Sequence, residues 1–336
     1  MNEHWSASGQ QINLRHGGYS AVIASVGASL RSLTSHGRNL VVPFDADKLR
    51  PLYRGATLAP WPNRVVDGRY SFAGTEYQLP INEVARGHAL HGLVVWQDWN
   101  VDSQSESTAT LSTAVVPQDG YPFHVALVLD LVLDAEGLHT TLTASNLGEQ
   151  PAPYGCAPHP YLTAGAGTLD DWQLLLPAAS VLEVTPDRLI PTHTAAVEAH
   201  PQFDFRQSRK IGDVEIDHAF TDLRRTDDGV AQVRLEAADG GGTVMSWDAS
   251  CPWVQIHTAD RPEKQNHRIG LAVEPMTCPP DAFHSQLDLI VLPAGEATAP
   301  SGASVPCKAK LGVPSELTLR IALAERCAKS SPKART

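Results

Sequence analysis

A chain of 336 residues with 42% hydrophobic and 19% charged side chains can build a sizeable core, which excludes intrinsic disorder for its bulk. Its 26 basic residues against 37 acidic ones give a formal charge of −11. That balance excludes a nucleic-acid partner, because such binding draws its strength from Lys and Arg releasing counterions.

The start, MNEHWSASGQQ, is polar and lacks the apolar stretch of a signal peptide, and no run approaches the roughly 18 apolar residues of a spanning helix. Neither export nor a membrane is expected. Cys156, Cys251, Cys278, Cys307 and Cys327 are odd in number, widely spaced and without a CxxC pair, which suits reduced thiols in a cytoplasmic setting.

Taken in chain order, the β signals begin at Ser20 to Val26. Asp67-Gly68 then supplies the positive φ angles that a tight hairpin needs. From Phe123 to Leu133 the odd positions Phe123, Val125, Leu127, Leu129, Leu131 and Leu133 are all large and apolar, the mark of a strand with one buried face. Further strands are expected at Leu138 to Ala144, Trp172 to Leu176, Val254 to Thr258, Ile269 to Val273 and Leu287 to Leu292. Asp239-Gly240-Gly241 marks another hairpin. Long amphipathic helices are missing, so many antiparallel strands joined by hairpins predict an all-β sandwich.

No internal repeat or linker interrupts the first 297 residues, which predicts one domain over 1–297. Residues 298–336 carry seven Lys or Arg against two Glu, and are expected to form a basic tail outside that domain. Within the tail, Pro314 to Ala328 could form a helix, yet Leu317, Leu319, Ile321 and Leu323 alternate instead of stepping by three and four.

Phosphate-loop, GxGxxG, HExxH and GxSxG motifs are all absent. His88 and His91 have no Cys cluster or neighbouring carboxylate to complete a ligand set, so no metal is expected. What remains is polar residues in Pro- and Gly-flanked segments. Asn63 and Arg64 follow Pro60-Trp61-Pro62, where an amide and a guanidinium emerge together; they suit a hydroxyl-rich ligand, or Arg64 braces a neighbouring loop. His91 precedes Gly92, which permits close backbone approach, and taken alone reads first as a structural histidine.

His159 stands between Pro158 and Pro160, so its imidazole is held by a rigid backbone, as an acid catalyst requires. Glu274 follows the apolar strand and precedes Pro275, which places a carboxylate where the ladder is expected to stop. Asp217, before His218, carries less weight, since an Asp there also caps turns.

Their order along the chain is informative. Asn63-Arg64 with Gly68-Arg69-Tyr70 and Gly74, then Leu90-His91-Gly92, His159-Pro160-Tyr161, Asp217-His218 and Glu274-Pro275-Met276 together resemble the aldose 1-epimerase (galactose mutarotase) family over roughly residues 10–297. The resemblance implies a galactose mutarotase-like antiparallel β supersandwich that binds a monosaccharide on a concave face, with no cofactor. Matched position by position, it makes His159 the general acid and Glu274 the general base. It makes Asn63, Arg64, His91, Asp217 and Gln255 substrate-binding residues. The sequence departs from the family in Leu162-Thr163-Ala164-Gly165 after Tyr161, which bears on sugar preference, and in the chain beyond Glu296.

The implied chemistry explains the residue types. Opening a cyclic hemiacetal takes a proton from the anomeric hydroxyl while delivering one to the ring oxygen, so one base and one acid suffice. Two rivals stand beside this reading. A non-catalytic sugar-binding or sensor protein has no need of both proton-transfer partners, and a polysaccharide lyase or glycosidase usually carries a further catalytic domain.

Overall fold

The computed structural model describes residues 6–295 and 315–324. Its largest sheet has nine strands in the order Asn100–Gln104, Thr108–Val115, Val125–Asp134, Gly137–Asn146, Ser315–Leu323, Gly242–Trp247, Ala231–Glu236, Gln173–Leu175 and Arg209–Lys210. The long ladders are antiparallel, as for Val125–Asp134 on Gly137–Asn146. Period-two alternation fixes which face packs: Val125, Leu127, Leu129, Leu131 and Leu133 are buried, whereas Asp130 and Val132 between them face solvent. The turn expected at Asp239-Gly240-Gly241 joins two paired strands, with Gly240 at φ 79°. At Asp67-Gly68 both residues have positive φ, yet the flanking strands pair elsewhere, so this is a turn and not a hairpin.

A four-stranded sheet, Gln11–His16, Tyr19–Ala24, Ser29–Ser35 and Arg38–Asn39, contributes Ile12, Leu14, Ile23 and Leu33 to the same core as Leu127, Leu129 and Leu131. A six-stranded sheet runs in the order Tyr161–Leu162, Leu271–Met276, Trp253–His257, Asp217–Leu223, Ala178–Val184 and Pro191–Ala196. One of its faces sends Phe220, Val254, Ile256 and Val273 into that core. The alternate positions on its central strands, Asp217, Ala219, Gln255, His257, Ala272 and Glu274, therefore share the opposite face. The only α-helix among the described residues is the single turn Ala282–Ser285, and none there is long and apolar enough to cross a membrane.

The expected boundary at residue 297 is corrected by the strand Ser315–Leu323, which lies in the middle of the nine-stranded sheet. It pairs with Gly137–Asn146 on one side and Gly242–Trp247 on the other. Leu317, Leu319 and Ile321 are buried in the main core, so the apolar alternation specified a strand and not a helix. Residues 298–314 and 325–336 of the expected tail, with Cys307 and Cys327, lie outside the described residues.

Candidate active site

Three adjacent strands set the floor of one cleft. Gln255 stands directly opposite Glu274, and Asp217 directly opposite His257. Ala219 and Ala272 lie on that face too and are buried in small apolar clusters, Ala219 with Leu182 and Trp253 and Ala272 with Tyr161 and Ala259. Glu274 is mid-strand, because the ladder continues past Pro275 to Met276; this corrects the expectation that the strand stops at Val273. Pro275 is tolerated for a definable reason. The amides of Val273 and Thr277 point to Pro160 O and Cys156 O, so the missing donor at Pro275 lies on that side and not toward Val254.

His159 enters from the segment between two short ladders, Ala157–Pro158 on Thr57–Leu58 and Tyr161–Leu162 on Leu271–Ala272. Its amide donates to Ala56 O at 2.9 Å and its carbonyl accepts from Gly55 N at 2.8 Å, which fixes the backbone between its two prolines. The imidazole stacks on Tyr161 at 5.5 Å, and its Nε2 lies 3.4 Å from Glu274 Oε1.

Arg64 pairs with Leu90 across the strands Arg64–Val66 and His88–Leu90, so Asn63 and His91 stand side by side just beyond that end of the ladder. Both strands turn sharply at this same end, with Asn63 at φ 51° and His91 at φ 65°, and His91 N donates to Asn63 O at 2.8 Å. Gly92 permits the turn, since a Cβ there would sit 2.1 Å from Ala59 O. Arg64 donates from Nε and Nη2 to both oxygens of Glu83, at 2.8 and 3.0 Å, while Nη2 lies 3.8 Å from Asp217 Oδ2. Asn63 Oδ1 accepts from Arg64 N at 2.9 Å, and Gln255 Nε2 donates to Asp217 Oδ1 at 2.7 Å.

Asn63, Arg64, His91, His159, Asp217, Gln255 and Glu274, chosen from the sequence, thus all line one cleft. Glu83, His257, Tyr53, Tyr161 and Arg261 line it too and were not anticipated. His257 had a legible signal, because it follows Gln255 by two on a strand and so shares its face. Glu83 and Tyr53 had none, since both reach the cleft through irregular loops. Leu52 and Tyr53 are consecutive non-glycine residues at positive φ, 52° and 53°. Such backbone costs about 1–3 kcal/mol per residue and collects at functional sites.

Burial dominates the electrostatics. It pushes the Glu274 carboxyl well above the ordinary carboxylate range, aided by the negative charge of Asp217 and opposed by Arg64. It also pushes the His159 imidazole down to about 3 and holds His91 well below its usual value. Burial would raise Asp217 as well, but His257, Arg64 and Gln255 outweigh it and keep that carboxylate below its ordinary value. Both shifts favour the neutral forms, an unprotonated His159 imidazole and a protonated Glu274 carboxyl.

Two predictions follow from these contacts. His159 binds fewer protons folded than unfolded between about pH 6.5 and about 3, so its contribution to stability is complete above that window and is lost as the pH falls through it. Urea melts of His159→Gln should show a shallower acid loss than wild type; superposable profiles would contradict the burial of a neutral imidazole. Second, Glu83→Gln removes the anionic half of the pair that holds Arg64. It should raise KM about tenfold with a smaller change in kcat, since a guanidinium that is no longer held orients a ligand poorly. An unchanged KM would remove Glu83 from the site.

His91, His159 and Glu274 also place ligand atoms within 4.8 Å of one another, the one such group of three found among the described residues. Two imidazoles and a carboxylate could hold a divalent transition ion, but through the same lone pairs that a proton-transfer role uses. Five buried atoms around this group have no protein partner: His91 Nδ1, His159 Nδ1, Gln255 Oε1, His257 Nε2 and Glu274 Oε2. Buried polar atoms are almost always paired, so this cluster is arranged for a polar ligand.

The family model described as aldose 1-epimerase matches residues 10–301. The uncharacterized protein YihR of Escherichia coli K12 is 37% identical over 290 residues, covering 86% of this chain and 91% of that protein. The galactose mutarotase of Mus musculus is 26% identical over 221 residues, 62% of this chain and 63% of its own length. Among solved structures, the GalM/aldose epimerase homologue from C. elegans superposes with a TM-score of 0.77 at 18% identity, over 94% of this chain and 99% of that one. The galactose 1-epimerase from Lactobacillus acidophilus NCFM gives a TM-score of 0.71 at 19% identity, over 92% of each chain. At these identities the two structures establish a shared galactose mutarotase-like fold.

Proposed function

Because the chain belongs to the aldose 1-epimerase family, we propose that it is a cofactor-independent mutarotase that interconverts the α and β anomers of an unphosphorylated aldohexose such as glucose or galactose. The observation that carries this reading is the convergence of five buried, unpartnered polar atoms around a His–Glu pair whose facing atoms are 3.4 Å apart.

In this reading Glu274 takes the proton from the anomeric hydroxyl, and His159 delivers one to the ring oxygen. The bond between C1 and the ring oxygen breaks, and the C1–O1 bond becomes the carbonyl of an open-chain aldehyde. Rotation about C1–C2 presents the other carbonyl face, and the same two groups work in reverse to close the ring. Arg64, Asn63, His91, Asp217 and Gln255 hold the remaining hydroxyls, since planar guanidinium, amide and carboxylate groups pair with diols.

Burial favours a neutral His159 and a protonated Glu274, whereas the forward step needs Glu274 ionised and His159 protonated. A sugar supplies the missing stabilisation: a hydroxyl donating to the Glu274 carboxylate and a ring oxygen accepting from the His159 imidazolium both favour the charged forms. The pair is therefore expected to reach its working protonation state on binding, and the rate to show a bell-shaped dependence on pH. A cytoplasmic setting agrees with this reading, since Cys156, Cys251 and Cys278 are unpaired and buried.

Exchange spectroscopy between the anomeric protons of α- and β-galactose tests the proposal. Exchange far faster than the buffer rate is the expected result. Line broadening from binding with no gain in exchange would instead identify a sugar-binding or sensor protein.

A further inference from the structure

His257 lines the cleft and has no part in the proton transfers above. Its place in the sheet fixes where it acts. On the cleft face Gln255 and Glu274 form one cross-strand row, and Asp217, His257 and Ala272 form the next. Two residues along a strand span about 7 Å, so this second row lies beside the reacting one and not under the reacting carbon.

A neighbouring carbonyl settles which ring nitrogen carries the proton. His257 Nδ1 lies 3.3 Å from Ile216 O, and a carbonyl oxygen only accepts, so Nδ1 is the donor. Thr258 N and Oγ1 also reach that oxygen, at 3.0 and 3.1 Å, but the single hydroxyl proton has the Asp260 carboxylate closer, which leaves a lone pair for Nδ1. Asp217 Oδ1, at 3.8 Å, is too far to compete and already accepts from Gln255. The neutral ring therefore presents Nε2 as a bare acceptor, and that atom is buried without a protein partner.

The polar groups around it sort by the contacts they already make. Asn63 Oδ1 accepts from Arg64 N, so Asn63 presents its amide protons, and Arg64 can only donate. Gln255 Nε2 is turned to Asp217, so Gln255 presents Oε1. A sugar hydroxyl has two lone pairs and one proton. A hydroxyl that accepts from Arg64 or Asn63 thus still has its own proton to place, and His257 Nε2 receives it without competing for the lone pairs those donors use.

We propose that His257 is a specificity-determining residue of this cleft, a neutral acceptor for the proton of a ring hydroxyl on the C3–C4 side of the sugar. With C1 held between His159 and Glu274, the row of Asp217 and His257 faces the ring carbons remote from it. This rests on the mutarotase reading of the same cleft.

The test measures Kd by NMR titration for whichever of galactose and glucose binds more tightly, and for its 3-deoxy-3-fluoro and 4-deoxy-4-fluoro analogues, in which the substituent has no proton to give. Wild type should bind one of the two analogues about tenfold more weakly than the parent sugar. His257→Phe should bind the parent about tenfold more weakly and that analogue no worse than the parent, whereas His257→Gln, whose carbonyl oxygen can accept, keeps most of the affinity. Losses that simply add across variant and analogue, or a His257→Phe variant that binds the parent as wild type does, overturn the assignment. A second readout uses the unaltered protein. In nitrogen-15 histidine spectra of wild type, the His257 ring should carry its proton on Nδ1, and saturating sugar should move the Nε2 resonance upfield. A proton on Nε2, or an Nε2 resonance that ignores the sugar, overturns the assignment. Polarimetry separates the two readings. Non-additive losses without acceleration of any sugar overturn the mutarotase reading and leave His257 as a hydroxyl acceptor, while acceleration with additive losses overturns His257 alone.

Discussion

Glu274→Gln is expected to cut mutarotation by about 10² to 10⁴-fold while sugar binding survives, the range that a positioned proton-transfer group contributes. Gln keeps the shape of the side chain and its place on the strand opposite Gln255, but it cannot accept the anomeric proton. Stability gives an independent readout. Burial raises the Glu274 carboxyl, so wild type is destabilised as the pH rises through that group's folded value, whereas the neutral amide is not. The variant should therefore melt no lower than wild type at neutral pH and higher under alkaline conditions. His159→Gln should lose turnover in the same range, with its backbone still held by Gly55 and Ala56. Near-wild-type rates in either variant would remove that residue from the mechanism, and a collapsed melt would make it structural.

Ending the chain at Pro300 is expected to abolish the cooperative fold. The strand Ser315–Leu323 that this removes sits between two others in the largest sheet, and its loss would expose two long edges at once. It would also take Leu317, Leu319 and Ile321 out of the core. Emptying such positions costs about 2–5 kcal/mol each, against a total stability of about 5–15 kcal/mol for a whole domain. Ile321→Ala should show the same effect in part, lowering stability by about 2–5 kcal/mol in urea melts. A chain ended at Glu325 keeps the strand and should fold and turn over. Full activity in the Pro300 truncation would contradict the placement of this strand.

The strand makes clear what a sequence can and cannot disclose. Alternation at Phe123 to Leu133 and at Leu317 to Leu323 is a local property of a half-buried strand, so both were legible as strands. Which strands are neighbours is not local, and Leu317 pairs with Leu142 across more than half of the chain. The basic composition of the C-terminal region pointed away from the core, yet Arg320 alternates outward to pair with Glu136 while its neighbours Leu319 and Ile321 point in.

The site divides in the same way. Asn63, Arg64, His91, His159, Asp217, Gln255 and Glu274 stand in short motifs whose order along the chain is specific, so their assembly in one cleft could be expected. Glu83 could not, because its contact with Arg64 depends on how the loop before His88 folds back. The bland and the functional readings of Arg64 also cease to compete. The side chain is buried and bound to Glu83 as a bracing residue would be, and it still faces Asp217 across the cleft.

The most direct test is the rate at which freshly dissolved α-galactose and α-glucose reach their equilibrium optical rotation, with the spontaneous rate subtracted, for wild type beside Glu274→Gln at equal concentration. The account predicts clear acceleration of at least one sugar by wild type, and a rate close to that of buffer for the variant although calorimetry still detects its bound sugar. Wild-type rates indistinguishable from buffer for every aldohexose, with sugar binding intact, would contradict it.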